Sequence, residues 1–373
     1  VLYNFKNELG GNTMKKLVAL LLVLVLSLGM LAGCSQPAEE PATDAPAEEA
    51  AAPEEAKKDL TLTVYAGLME DHALMAVKEF EKATGVKTEM VRMSGGEIFA
   101  RIKAEKENPS ASVWYGGGAL TFINADNEGL LEHYVSPEAA NIPDQFKDPN
   151  GAWTGIYSGY LGIEGNKQWL EENGLELPQT WDDLLKPEFK GNIVIAHPGS
   201  SSTAYNFLAT IVQLKGEEEG FEYLQKFNEQ VRQYTKSGSA PGRMAGMGEA
   251  PIAIGFLHDA IKYQEEGYKD LIFTTAKEGT GYEIGAVGII KGGPDQEAAK
   301  MFVDWCLTKE AQELGKTVGS YQFLTNKNAN PPEQAMTLKD TALIDYDFVW
   351  AGDHRGEFLE KFMDLTKTTP PTE

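Results

Sequence analysis

From Leu60 onward the apolar pattern keeps switching between a period of two and a period near 3.6, and that alternation limits the fold more than any single motif. Leu60–Tyr65 (LTLTVY) alternates like a half-buried strand and stops at Ala66-Gly67. Asp71–Ala83 sets Leu74, Val77 and Phe80 along one helical face, with Gly85 as the stop. Val86–Arg92 returns to a strand pattern, and Ser94-Gly95-Gly96-Glu97 opens a helix carrying Ile98, Ile102 and Ala104. Short strands alternating with helices predict an α/β fold built on an open sheet, whose ligands lie beyond the carboxyl ends of the strands. Residues 59–373, roughly 315 positions, suffice for two lobes with separate cores.

Within that frame the polar turns after strands carry the chemistry. Ile193–Ala196 reads as a buried strand, breaks at Pro198-Gly199, and resumes as a helix over Ala204–Leu214. Ser200, Ser201, Ser202 and Thr203 therefore sit where a helix begins, so hydroxyls and unpaired N–H groups share its positive pole. That is a ready anion site, or a serine cap with polar filler. Ser94-Gly95 and Thr235-Lys236-Ser237 repeat the arrangement. Val113-Trp114-Tyr115 runs into Gly116–Gly118, where either a ligand or the opposite lobe comes close to the backbone, or the chain merely turns. The spacing does not match a dinucleotide fingerprint. Trp153–Ile163 reads as an extended segment crossing between lobes, and Thr180–Leu185 as a capped short helix. Pro251–Leu257 is an apolar strand ending in His258-Asp259, a pair placed for ligand contact or for a solvated strand end; neighbours on extended chain face opposite ways, which argues against a catalytic dyad. Ala286–Ile290 is the return strand, and Asp295 caps a helix with Ala298, Ala299, Phe302, Cys306 and Leu307 on one face.

The N-terminal part is an address. Met14-Lys15-Lys16 followed by the apolar run Leu17–Leu31 has the layout of a secretory signal over residues 14–33, and residues 1–13 read as an over-called start. The alternative is an uncleaved membrane anchor, for which the run is short. Residues 34–58, rich in Ala, Pro and Glu, have no apolar periodicity and read as a disordered tether. The formal charge of −23 argues against nucleic acid as a partner. With Cys34 and Cys306 as the only cysteines there is no disulfide framework, and Cys306 reads as a buried free thiol.

Leu31-Ala32-Gly33-Cys34 resembles a bacterial lipobox, which implies cleavage before Cys34, acylation of its thiol, and anchoring to the outside of the cell membrane. EFEKATGV, ARIKAEKENPSASVWYGGG, YSGYLGIEGN, TWDDLLKPEFKGNIVIAHPGSSSTAYN, GMGEAPIAIGF and GAVGIIKGGPDQEAAKMFVDWCLTKEAQ then follow in order. Over Leu60 to about Asn330 this resembles the solute-binding proteins of ABC importers, in the branch of ferric-iron, 2-aminoethylphosphonate and hexose-phosphate receptors. The resemblance implies a two-lobed, type II periplasmic-binding-protein-like fold: lobe one over residues 59–157, lobe two over 158–285, and 286–373 as the return to lobe one and the C-terminal helices. It implies a monomeric receptor with no enzymatic activity and no cofactor, which closes on a small anionic solute and passes it to permease subunits.

Iron-binding members hold ferric ion with an adjacent tyrosine pair after the strand that follows the Gly-Glu element. Phe256–Ile261 has no such pair, and His258-Asp259 at this place looks like the hexose-phosphate binders. On that basis His258, Asp259 and Glu283 take sugar hydroxyls, while Ser94, Gly95, Ser200, Ser201, Ser202, Thr203, Thr235 and Ser237 hold the phosphate and Tyr115 faces the ligand; no metal is expected. Arg92 and Arg243 are candidates for a phosphate contact. Ferric iron is the alternative ligand. An exported hydrolase using His197, His258 or Asp259 with a serine is the alternative class, although no G-x-S-x-G or H-E-x-x-H element occurs.

Overall fold

The computed structural model describes residues 60–372. The signal, Cys34 and the tether lie outside the described residues. Eleven strands join in one sheet: β1 (Thr61–Ala66), β2 (Lys87–Arg92), β3 (Val113–Gly118), β4 (Leu131–Glu132), β5 (Thr154–Asn166), β6 (Ile193–Ala196), β7 (Val231–Thr235), β8 (Ile252–Phe256), β9 (Leu271–Thr274), β10 (Tyr282–Ile290) and β11 (Phe323–Leu324). The main order is β2-β1-β3-β10-β5-β8-β6-β7. The β1–β2 and β1–β3 pairs are parallel, as are β6–β7 and β6–β8, which agrees with the α/β reading.

The long strand β5 divides the molecule. Its first part, Thr154–Tyr160, pairs antiparallel with β10, and its second part, Leu161–Asn166, pairs with β8 and β9. One strand thus belongs to both lobes, and the partner exchange falls between Tyr160 and Leu161. The chain crosses back at Gly281, whose carbonyl accepts from the Leu161 N–H, and enters β10.

Lobe one is layered helix, sheet, helix, because strand side chains alternate between faces. Leu62, Val64, Val113 and Tyr115 pack under the helices Glu70–Thr84 and Gln296–Cys306, while Tyr65 and Trp114 face the helices Gly95–Ala104 and Ala119–Asn127. Helix Glu70–Thr84 buries Ala73, Ala76, Val77 and Phe80, the i, i+3, i+4, i+7 set, which leaves Leu74, expected inside, 52 % exposed. The second lobe has its own core around Trp181, Phe207, Phe221 and Phe227. The C-terminal helix Arg355–Thr366 packs on this core, with Phe358 edge-on to Phe221 at 5.4 Å. Among the described residues no helix is long and apolar enough to cross a membrane. Cys306 is a buried free thiol, as expected.

Phe302 is fully buried and makes ring contacts with Phe80, Tyr115 and Trp305 at 5.0, 5.2 and 5.8 Å. Phe302→Ala should therefore cost about 3–5 kcal/mol, read as a lower midpoint in urea unfolding.

Candidate functional site

A pocket lies between the lobes at the carboxyl ends of β1, β2, β3, β6, β7 and β8. One wall is made of helix starts. Ser94 has extended backbone and begins the helix Gly95–Ala104; its N–H donates to Glu97 Oε2 at 3.0 Å. Ser201 is likewise extended and begins the helix Ser202–Lys215, with its side chain making no bond to the first turn. That turn's N–H groups and the hydroxyls of Ser202 and Thr203 are left to face the pocket, at the positive end of a fourteen-residue helix. Ser237, Gly238 and Ser239 add a third polar edge.

Two glycines let these edges meet. A Cβ at Gly95 would sit 3.1 Å from Ser202 Oγ, and one at Gly238 would collide with Thr203 Oγ1. Since Gly95 belongs to lobe one and Ser202 to lobe two, the lobes touch across the pocket. Two ion pairs also bridge them, Lys236 Nζ to Glu97 Oε1 at 2.8 Å and Lys262 Nζ to Asp71 Oδ2 at 3.3 Å.

The other wall is a buried acid–imidazole cluster. The expectation put His258-Asp259 on a strand terminus, but β8 ends at Phe256 and Leu257–Glu265 is a helix. Successive residues there are about 100° apart rather than opposed, so both side chains reach the pocket. The His258 ring stacks on Phe256 at 5.6 Å and lies 6.3 Å from Tyr157. His258 Nε2 is 3.6 Å from Asp259 Oδ1 and 3.8 Å from Glu283 Oε1. His258 Nδ1 and Asp259 Oδ1 are buried and have no hydrogen-bond partner within the protein. Burial pushes the Glu283 carboxyl well above its ordinary range, with Asp259 adding to the effect. Asp259 is also raised by burial, against the pull of His258, Lys262 and Arg92, and burial lowers His258. Burial thus favours the uncharged forms along this wall, and such groups can both donate to and accept from hydroxyls.

Ser94, Gly95, Ser201, Ser202, Thr203, Ser237, His258, Asp259 and Glu283 all line this pocket. Tyr115 does not. Trp114 faces the other side of the sheet, so strand alternation turns Tyr115 into the lobe-one core, 5.2 Å from Phe302. Ser200 is turned inward, its Oγ donating to the His197 and Lys236 carbonyls, and Thr235 Oγ1 donates to the Ser237 carbonyl. Both shape turns and neither lines the pocket. Of the two arginines weighed, Arg92 lines the pocket, its Nε donating to the Leu68 carbonyl at 3.3 Å, whereas Arg243 is exposed. Tyr157, Phe256, Ser239 and Gln322 line it without having been singled out. Tyr157 lies in the crossing segment, and a tyrosine in a strand shared by both lobes was the available signal.

Two α/β lobes joined by crossing strands, with a polar pocket at the facing strand ends, define the type II class of solute-binding proteins. The chain belongs to the bacterial extracellular solute-binding protein family, whose model matches residues 121–347. It is similar to the periplasmic binding protein AfuA from Actinobacillus pleuropneumoniae, solved with exogenous fructose-6-phosphate bound: 41 % identity, TM-score 0.81, covering 84 % of this chain and 100 % of that one. The periplasmic binding protein P5PA is 37 % identical, with TM-score 0.79, over 82 % of this chain and 99 % of its own. An uncharacterized protein of Haemophilus influenzae is 40 % identical over 314 residues, 82 % of this chain and 90 % of that protein. The branch also includes iron-uptake and 2-aminoethylphosphonate-binding proteins. The protein is thus an extracytoplasmic solute-binding component of an ABC importer.

The raised Glu283 carboxyl has a consequence for stability. Between the unfolded carboxyl value, 4.5, and the higher folded value, the native state holds the extra proton, so stability falls as pH rises through that window. Glu283→Gln removes this loss. Its melting temperature relative to the unmodified protein should rise progressively as pH is increased above 4.5, measured by calorimetry without ligand.

Proposed function

We propose that the protein captures a sugar phosphate by closure of its lobes and delivers it to its permease without chemical change. The observation that carries this reading is the division of one pocket into two chemistries. Hydroxyls and helix-start N–H groups around Ser94, Ser202, Thr203 and Ser237 form a donor wall for a phosphate, with Arg92 beside it. The buried cluster of His258, Asp259 and Glu283, in which His258 Nδ1 and Asp259 Oδ1 have no hydrogen-bond partner, suits sugar hydroxyls that donate and accept. The 41 % identity to a protein solved with fructose-6-phosphate supports the same choice.

A hydrolase would need a nucleophile activated by a base, and neither imidazole weighed for that role is bonded to a serine hydroxyl. His197 bonds Gly199 and Thr368, while the nearest acidic groups to His258 are carboxyls and no serine hydroxyl bonds to it. Ferric iron calls for anionic oxygens, and the pocket's tyrosine, Tyr157, is buried with its pKa driven upward by burial and by Glu283. We propose further that the receptor works as a monomer and is held at the membrane by a lipid on Cys34.

A thermal-shift comparison of fructose 6-phosphate, glucose 6-phosphate, 2-aminoethylphosphonate, inorganic phosphate and ferric citrate tests the reading, because a ligand of the native state raises the melting temperature. Sugar phosphates should give the largest shift; a shift with ferric citrate alone sinks the proposal. Asp259→Ala should weaken sugar-phosphate binding about tenfold or more by stranding ligand hydroxyls, with the fold intact by circular dichroism. For the anchor, Cys34→Ala should abolish incorporation of labelled fatty acid and release the protein from membranes.

A further inference from the structure

The loop that presents Ser201, Ser202 and Thr203 is held from behind by the last residues of the described chain. We infer that the C-terminal tail, Thr368–Thr372, is a working part of the solute site, fixing this loop through His197 and Lys236.

His197 is fully buried at the end of β6 and organises the turn with nearly every polar atom it has. Its N–H donates to the Thr235 carbonyl at 2.9 Å, and its carbonyl accepts from the Ser200 and Ser201 N–H groups, each at 3.0 Å. Its Nδ1 accepts from the Gly199 N–H at 3.0 Å. That bond settles the tautomer: the ring hydrogen is on Nε2, which donates to Thr368 Oγ1 at 3.1 Å. Burial lowers the imidazole to about 4, so Nδ1 keeps its lone pair at neutral pH.

The hydrogen bonds continue in one direction into the last helix. Thr366 Oγ1 donates to the Phe362 carbonyl at 2.8 Å, so at its 2.8 Å contact with Thr368 Oγ1 it accepts. The sequence of donors is therefore His197 Nε2, Thr368 Oγ1 and Thr366 Oγ1, ending on a helix carbonyl. Edge contacts of the His197 ring with Tyr234 at 5.4 Å and Phe362 at 5.8 Å hold its plane. Two further contacts tie the tail down. A Cβ at Gly199 would come within 2.7 Å of Pro370 Cγ, so the glycine lets the tail lie on the loop. Lys236 Nζ donates to the Thr372 carbonyl at 3.3 Å while it pairs with Glu97 of the opposite lobe at 2.8 Å. The tail thus meets both the anion-facing loop and a bridge across the cleft.

Thr368→Val, Thr368→Ser, His197→Asn and a form lacking residues 368–373 separate this role from general stability. The first readout is hydrogen exchange of the ligand-free protein. Thr368→Val and the shortened form should speed exchange at Gly199, Ser200 and Ser201 about five- to tenfold, the size of one lost hydrogen bond, and leave β1 unchanged. Thr368→Ser keeps the hydroxyl and should restore protection. His197→Asn keeps an acceptor for Gly199 but cannot reach Thr368, so adding Thr368→Val to it should change nothing further. Unchanged loop exchange in the shortened form, or an equal rise throughout the body, overturns the inference. The second readout is affinity for fructose 6-phosphate, which rests on the proposed function: Thr368→Val should weaken it about five- to tenfold, mainly through faster release, and an unchanged affinity overturns the inference. Should the unmodified protein fail to bind fructose 6-phosphate, the functional reading falls and the exchange measurement alone decides the role of the tail.

Discussion

The structure depends on a single strand with two sets of partners. β5 gives its first half to β10 and its second half to β8 and β9, so backbone hydrogen bonds of one segment hold two cores in register. Because the same strand leads from one core into the other, the strand ends of both lobes face one another and their polar turns share one pocket. At the edges of the pocket the two walls are tied by the ion pairs of Lys236 with Glu97 and Lys262 with Asp71. Lys236 and Glu97 are both partly exposed, so that pair adds little to folding, whereas Lys262 is buried and its partner Asp71 exposed.

The electrostatics of the pocket run against those of the molecule. The chain carries a formal charge of −23, yet the donor wall is assembled from helix-start N–H groups, hydroxyls and Arg92. Helix termini supply a positive field locally without adding net charge. On the opposite wall, burial keeps acidic groups from ionising freely, so Asp259 and Glu283 can face a ligand bearing a phosphate without presenting two full negative charges. Both effects come from where the chain places backbone and low-dielectric surroundings, and neither follows from counting charged residues.

Much of this was legible in the sequence because it rests on short-range rules. Strand-to-helix alternation from Leu60, the break at Pro198-Gly199 and the serine-rich helix start each depend on a few neighbouring residues, and each appears in the structure close to where it was expected. The family resemblance added His258, Asp259 and Glu283, all of which line the pocket. The misses are failures of direction. Tyr115 stands at the right end of β3 but on the core face, and Ser200 and Thr235 stand in the right turns with hydroxyls committed to carbonyls. A one-residue change of facing is invisible without the partner strands. The tail contact between Thr368 and His197 joins residues far apart in sequence, and no local pattern announces it.

The central claim is that one pocket recognises both halves of a phosphorylated sugar at once. Isothermal titration of fructose 6-phosphate, fructose and inorganic phosphate at one ionic strength tests it most directly. Tight binding of the sugar phosphate, with each separate half at least about a hundredfold weaker because two sets of hydrogen bonds must form together, is the predicted result. Equal affinity for fructose or for phosphate alone would contradict the account, since one wall of the pocket would then contribute nothing to recognition.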